Sequence, residues 1–73
     1  MTNMEIWSKD YRAFLKKLKQ ARTEAGLTQV EIAKKLGKPQ SYVSKCESGE
    51  RRVDITELKY YAKLYKKPLS FFS

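Results

Sequence analysis

The stretch Thr28-Gln29-Val30-Glu31-Ile32-Ala33-Lys34-Lys35-Leu36-Gly37-Lys38-Pro39-Gln40-Ser41-Tyr42-Val43-Ser44-Lys45-Cys46-Glu47-Ser48-Gly49 decides the fold. Thr28 followed three residues later by Glu31 is a capping box, in which the hydroxyl accepts an amide and the carboxylate reaches back. It opens a short helix to Leu36 that buries Val30 or Ile32, Ala33 and Leu36. Gly37 stops it. Pro39 suits the first position of the next helix, where its missing N–H costs nothing. That helix runs from about Pro39 to Ser48 with Val43, Cys46 and Glu47 inward, and Gly49 ends it.

Upstream, Phe14, Leu15, Leu18, Ala21, Arg22 and Ala25 follow i, i+3, i+4, i+7 spacing from Ser8 onward, with Lys16, Lys17 and Lys19 opposite. Gly26 ends this helix. Residues 1–7 carry no period and read as a tail, with Ile6 and Trp7 able to fold back onto the domain at 8–73. Downstream, Asp54-Ile55-Thr56-Glu57 is a second capping box, opening a helix to about Tyr65 that buries Leu58, Tyr61, Ala62 and Tyr65. Pro68-Leu69-Ser70-Phe71-Phe72 reads as the first turn of a fifth helix. No strand pattern occurs. The expected architecture is all-α, a compact bundle of four to five short helices with very short connections.

With 73 residues the chain has room for one domain. A hydrophobic fraction of 41% supplies a core, while no apolar run approaches a membrane span and the amino terminus lacks a signal-peptide hydrophobic region. A single cysteine forbids an internal disulfide. Histidine is absent, which excludes a His-dependent triad and leaves no zinc-ligand set, so neither metal nor cofactor is expected. A soluble, cytoplasmic, non-enzymatic domain is the expectation. Sixteen Lys and Arg against eight Asp and Glu give a formal charge of +8. In so short a chain that favours a polyanionic partner, whether duplex DNA, RNA or an anionic membrane surface. A merely well-solvated basic surface is the alternative.

Two short helices joined by a tight turn at Gly37 form a helix-turn-helix at about residues 28–48, whose second helix would enter a major groove. Here the sequence resembles the Cro-type, lambda-repressor-like helix-turn-helix family, also called the xenobiotic-response-element family. The resemblance rests on Leu18 to Gln29 for its first helix and the entry to its second. Glu31 to Gly37 match the second helix and turn, and Ser41 to Gly49 the recognition helix and its stop. It covers roughly residues 10 to 72. Three positions depart from the family pattern. Pro39, preceded by Lys38, stands where Ser or Thr usually starts the recognition helix, so phosphate contact there falls to Lys38 or a backbone amide. Cys46 replaces the usual Ile or Leu. Lys66 replaces the Gly that commonly ends the fourth helix, so a less sharp ending is expected.

On a helical wheel Gln40, Ser41, Ser44, Lys45 and Ser48 face away from Val43, Cys46 and Glu47. Short polar groups and amides on a solvent face suit base reading: Gln can bond adenine in bidentate fashion, and Lys favours guanine. The same face could be ordinary solvated surface. The resemblance implies that Gln40, Ser41 and Lys45 occupy the main base-reading positions, with Ser44 beside them. It also implies that Gln29 contacts a phosphate and braces Gln40. Thr28 shares the amide-rich start of that helix, which attracts phosphate. Tyr42 could donate its hydroxyl to phosphate or cover the edge of the core. Arg51 and Arg52 suit a phosphate clamp or solvated loop charges. The remaining lysines serve solvation and long-range steering.

Arg22 and Glu47 fall on inward stripes, an expensive position for charge unless paired. The family joins these positions in a buried ion pair, so both are assigned a structural role. Cys46 is read as a small core hydrophobe. Leu64, Leu69, Phe71 and Phe72 are expected to leave an apolar patch near the carboxyl end, through which family members commonly form a homodimer. The resemblance therefore implies a sequence-specific, dimeric regulator of transcription on double-stranded DNA, a repressor or autoregulator. Two other readings stay open. One is an antitoxin or adaptor whose main partner is a protein such as a toxin; the other is a non-specific nucleic-acid or anionic-surface binder.

Overall fold

Ser8 opens the first helix by accepting the amide of Tyr11 at 3.2 Å, and the structure, a computed structural model, describes residues 8–73. The packing expected of Ile6 and Trp7 lies outside these residues. Helix α1 spans Lys9–Glu24, α2 Gln29–Leu36, α3 Gln40–Ser48 and α4 Ile55–Tyr65, and a 3-10 helix follows at Leu69–Phe72. The chain is all-helical, and no strand occurs among the described residues. Both expected capping boxes form: Thr28 with Glu31 at the start of α2, and Asp54 with Glu57 at the start of α4.

The turn between α2 and α3 depends on Gly37, whose φ of 69° is the left-handed conformation that glycine adopts without steric cost. There the amides of Gly37 and Lys38 donate back to Lys34 and Ala33, closing the helix end. At the end of α4, Lys66 takes the same conformation at φ 57°. Its own amide and that of Lys67 reach back to Lys63 and Ala62. The fourth helix therefore ends as sharply as one closed by glycine, contrary to expectation. The cost is left-handed backbone at a residue with a Cβ, about 1–2 kcal/mol.

Leu18, Ala21, Ile32, Ala33, Val43 and Cys46 meet beneath the α2–α3 pair, and Tyr61, Ala62, Tyr65 and Phe72 close the core from the other side. Within α2 it is Ile32 that is buried; Val30 remains 45% exposed. Ala25, expected on the buried stripe of the first helix, is exposed because the chain is already leaving the helix there. Pro39 precedes α3 as its cap and is not its first residue: its φ of −70° suits a helix, but its ψ of 157° is extended. The ring fixes φ alone, so proline fits either side of a helix start.

Phe72 differs most from expectation. It is only 4% exposed, with its ring 6.3 Å from that of Phe14 on α1 and 5.2 Å from that of Phe71. It belongs to the core of its own chain and not to a surface patch. The four-residue 3-10 turn points it inward and leaves Leu69 outward at 41% exposure. Leu64 and Phe71 are half-buried. The tyrosines Tyr61 and Tyr65 stack with centroids 5.7 Å apart, and neither hydroxyl has a hydrogen-bond partner among the described residues. Burial pushes both phenols well above their ordinary value.

Candidate nucleic-acid interface

The surface of α3 is built from the inside out. Val43 and Cys46 anchor it in the core, and an ion pair fixes its rotation. Arg22 Nε on α1 donates to Glu47 Oε2 at 2.6 Å and Arg22 Nη2 donates to Oε1 at 3.2 Å. A third nitrogen, Nη1, donates to the Leu27 carbonyl at 2.9 Å. The two side chains are 11% and 6% exposed. Three hydrogen bonds satisfy much of the buried guanidinium, which is what makes burial of such a pair tolerable. The Glu47 bond holds Arg22 above its ordinary value against the opposing effect of burial.

From Glu47 the network continues outward. Gln29 Nε2, at the start of α2, donates to Glu47 Oε1 at 3.0 Å. Gln29 Oε1 in turn accepts from Gln40 Nε2 at 3.3 Å. One chain of contacts thus runs from the core of α1, through the buried carboxylate of α3, to the exposed first residue of α3. With its amide oxygen unengaged by any described residue, Gln40 presents an acceptor at the surface, and one face of α3 brings Gln40, Ser41, Ser44 and Lys45 together, all exposed.

The residues assigned to phosphate are placed differently from one another. Thr28 Oγ1 accepts the Glu31 amide at 3.1 Å and lies 3.2 Å from Glu31 Oε1, to which it donates. Its hydroxyl is engaged within the capping box. The free donors at this end of α2 are the amides of Gln29 and Val30, which have no partner among the described residues and are the ordinary orphans of a helix start. Backbone and hydroxyl donations from Thr28 hold Glu31 below the usual carboxylate range. A phosphate here must therefore sit beside a charged carboxylate.

Tyr42 takes the second of its two expected positions. Its ring packs against the core and its hydroxyl donates to Glu57 Oε2, so it is not free for phosphate. Burial and that bond push the phenol up to about 12. Arg51 lies over the same ring at 4.5 Å, and its Nη1 donates to Glu57 Oε1 at 3.1 Å and pairs with Oε2 at 2.8 Å. Lys38 Nζ sits 5.1 Å from that ring's centroid. Arg52 instead lies 4.6 Å from the ring centroid of Tyr11 on α1. The two adjacent arginines are thus held by different tyrosines and do not form one clamp.

Glu57 and Tyr11 carry this arrangement, and neither was singled out from the sequence for it. Glu57 had one visible task, the capping box, and it performs that task with Oε1, which accepts the Asp54 amide at 3.1 Å. The other oxygen accepts from Tyr42, and Arg51 straddles both, donating to Oε1 and pairing with Oε2. Burial works to raise its carboxyl, yet the donations from Tyr42 and Arg51 outweigh it and hold Glu57 below the usual range. The Tyr11 hydroxyl accepts the Val53 amide at 3.1 Å, securing the loop that carries Arg52. The cationic pair Arg51-Arg52 was visible in the sequence; the Tyr11 ring that takes Arg52 lies too far back in the chain to be.

No helix among the described residues is long and apolar enough to cross a membrane, and no curated protein matches the chain. A helix-turn-helix family model matches residues 18–72, most of the chain and all of the geometry above from the Arg22–Glu47 pair to Phe72. With a capped helix, a glycine turn and a second helix whose outer face is polar and whose inner face is locked, the chain belongs to the Cro-type, lambda-repressor-like family of helix-turn-helix DNA-binding regulators.

Proposed function

We propose that the protein binds a palindromic operator as a homodimer and acts as a repressor or autoregulator by occupying it. The observation that carries this reading is the relay Arg22–Glu47–Gln29–Gln40. It ties the outward amide of Gln40 to the buried frame of the domain, the preorganisation that side-chain readout of a base edge needs. Gln40, Ser41, Ser44 and Lys45 read bases. The free amides of α2, together with Lys38 and Arg52, hold phosphates. Arg51 joins them on exchanging Glu57 for a phosphate oxygen.

Pairing runs through Leu69 and Phe71 at the 3-10 turn, the apolar groups of that region that Phe72 leaves outside. A two-fold dimer sets its recognition helices about 34 Å apart, one turn of duplex. Selecting bound duplexes from a random library tests this. Enrichment of an inverted repeat with half-sites one turn apart is expected; binders without a common sequence, or with a single half-site, would overturn it.

A further inference from the structure

Between α2 and α4 lies a groove of about 410 Å³ that shares no residue with the reading face of α3. Leu36, Tyr60 and Leu64 supply its apolar surface, and Tyr60 is 61% exposed, a large ring left to solvent. Lys35, Lys38 and Lys63 rim it. Among the described residues the one carboxylate in the lining, Glu57, is already tied to Tyr42 and Arg51. A second groove of about 410 Å³ adjoins the first through Lys35 and Leu64. Its carboxylate, Glu24, is likewise taken, by Lys67 at 2.6 Å. Among the described residues no carboxylate lies within ion-pair distance of Lys35, Lys38 or Lys63.

We infer that this groove is a docking site for an acidic peptide segment of another protein, one that carries a large apolar side chain between carboxylates. Charge complementarity selects this occupant. A second copy of the chain would bring one lysine rim against another. A phosphate backbone would satisfy the lysines but leave Leu36, Tyr60 and Leu64 uncovered. An apolar side chain flanked by carboxylates satisfies both at once, burying an exposed aromatic and pairing the rim, and a central aromatic within a charged border is where binding energy concentrates. The site stands independently of operator recognition, although Lys38 borders both surfaces.

A displayed library of random dodecapeptides, selected on the whole chain, tests the inference. Enriched peptides are expected to carry Asp or Glu on both sides of Leu, Phe or Trp. Synthesised and labelled, they should perturb the amide resonances of Leu36, Tyr60 and Leu64, and lose about tenfold in affinity with either Tyr60→Ala or Lys63→Glu. Circular dichroism checks that both variants stay folded, as the exposure of these residues leads one to expect. Duplex binding by Tyr60→Ala should match wild type, which separates this site from the operator-binding surface. No enrichment, enriched peptides without carboxylates, or binding that both substitutions leave unchanged would overturn the inference. So would a random duplex or single-stranded RNA that perturbs the same Tyr60 and Leu64 amides, because the groove would then be a nucleic-acid surface.

Discussion

Replacing Glu47 with alanine removes the acceptor at the centre of the relay. Arg22 loses two of its three hydrogen bonds and keeps only Leu27 O, and Gln29 loses the partner that aims it at Gln40. Because the paired side chains are only 11% and 6% exposed, water cannot readily replace the lost carboxylate, and the surface-pair discount does not apply. Stranding one member of a buried pair costs about 3–5 kcal/mol. At about 0.05–0.15 kcal/mol per residue, the whole domain has a stability of comparable order. With about 4–8 °C of melting temperature per kcal/mol in a domain this small, Glu47→Ala should melt some tens of degrees below wild type or be unfolded at 25 °C.

Urea denaturation followed by circular dichroism measures this. The double variant Arg22→Met, Glu47→Met separates stranded charge from lost packing, since exchanging a whole buried pair for apolar groups is often neutral or stabilising. It should recover most of the loss. A single variant within about 1 kcal/mol of wild type would refute the reasoning, because the pair would then be hydrated and could not fix the rotation of α3.

Three further outcomes follow from the same structure. Lys66→Gly relieves left-handed backbone at the end of α4 and should raise stability by about 0.5–1 kcal/mol in the same urea assay. A loss there would mean that Lys66 is not left-handed in solution. Tyr65→Phe deletes a buried hydroxyl without a partner and should stabilise by about 1 kcal/mol; destabilisation would show that the hydroxyl is bonded. Stability should also fall away at both ends of the pH scale. Glu57 is held below its ordinary 4.5, so its contribution is complete above that pH and is lost as pH drops through the lower folded value. Tyr42, Tyr61 and Tyr65 are raised above 10.0, so their ionisation leaves stability untouched below pH 10 and erodes it as pH rises beyond that value. Melting temperatures measured between pH 3 and pH 11 check both limbs; a flat profile would contradict them.

Local chemistry was readable in the residues. The capping boxes at Thr28 and Asp54 and the stops at Gly37 and Gly49 each depend on neighbours within a few positions, and the helices begin and end there. What the sequence left open was decided over longer range. In an eight-residue helix Val30 and Ile32 both fit a stripe with Ala33, and only packing against α1 and α3 selects Ile32. Phe72 could serve a surface patch or a core with equal logic until the position of Phe14, far back in the chain, is known. Glu57 has two carboxylate oxygens, and the capping pattern accounts for just one. Lys66 closes its helix with backbone bonds that do not depend on the side chain, so residue type was a poor guide to geometry there.

The claim that α3 reads bases while its surroundings hold phosphates is tested most directly by one salt titration. Gln40→Ala and Arg52→Ala are each measured on a selected operator and on a scrambled duplex. Gln40→Ala should cost about 1–3 kcal/mol on the operator and little on the scrambled duplex. Arg52→Ala should weaken both alike and lower the salt slope by about one unit. If Arg52→Ala alters base preference while Gln40→Ala weakens both duplexes equally, α3 is not the reading element and the account is contradicted.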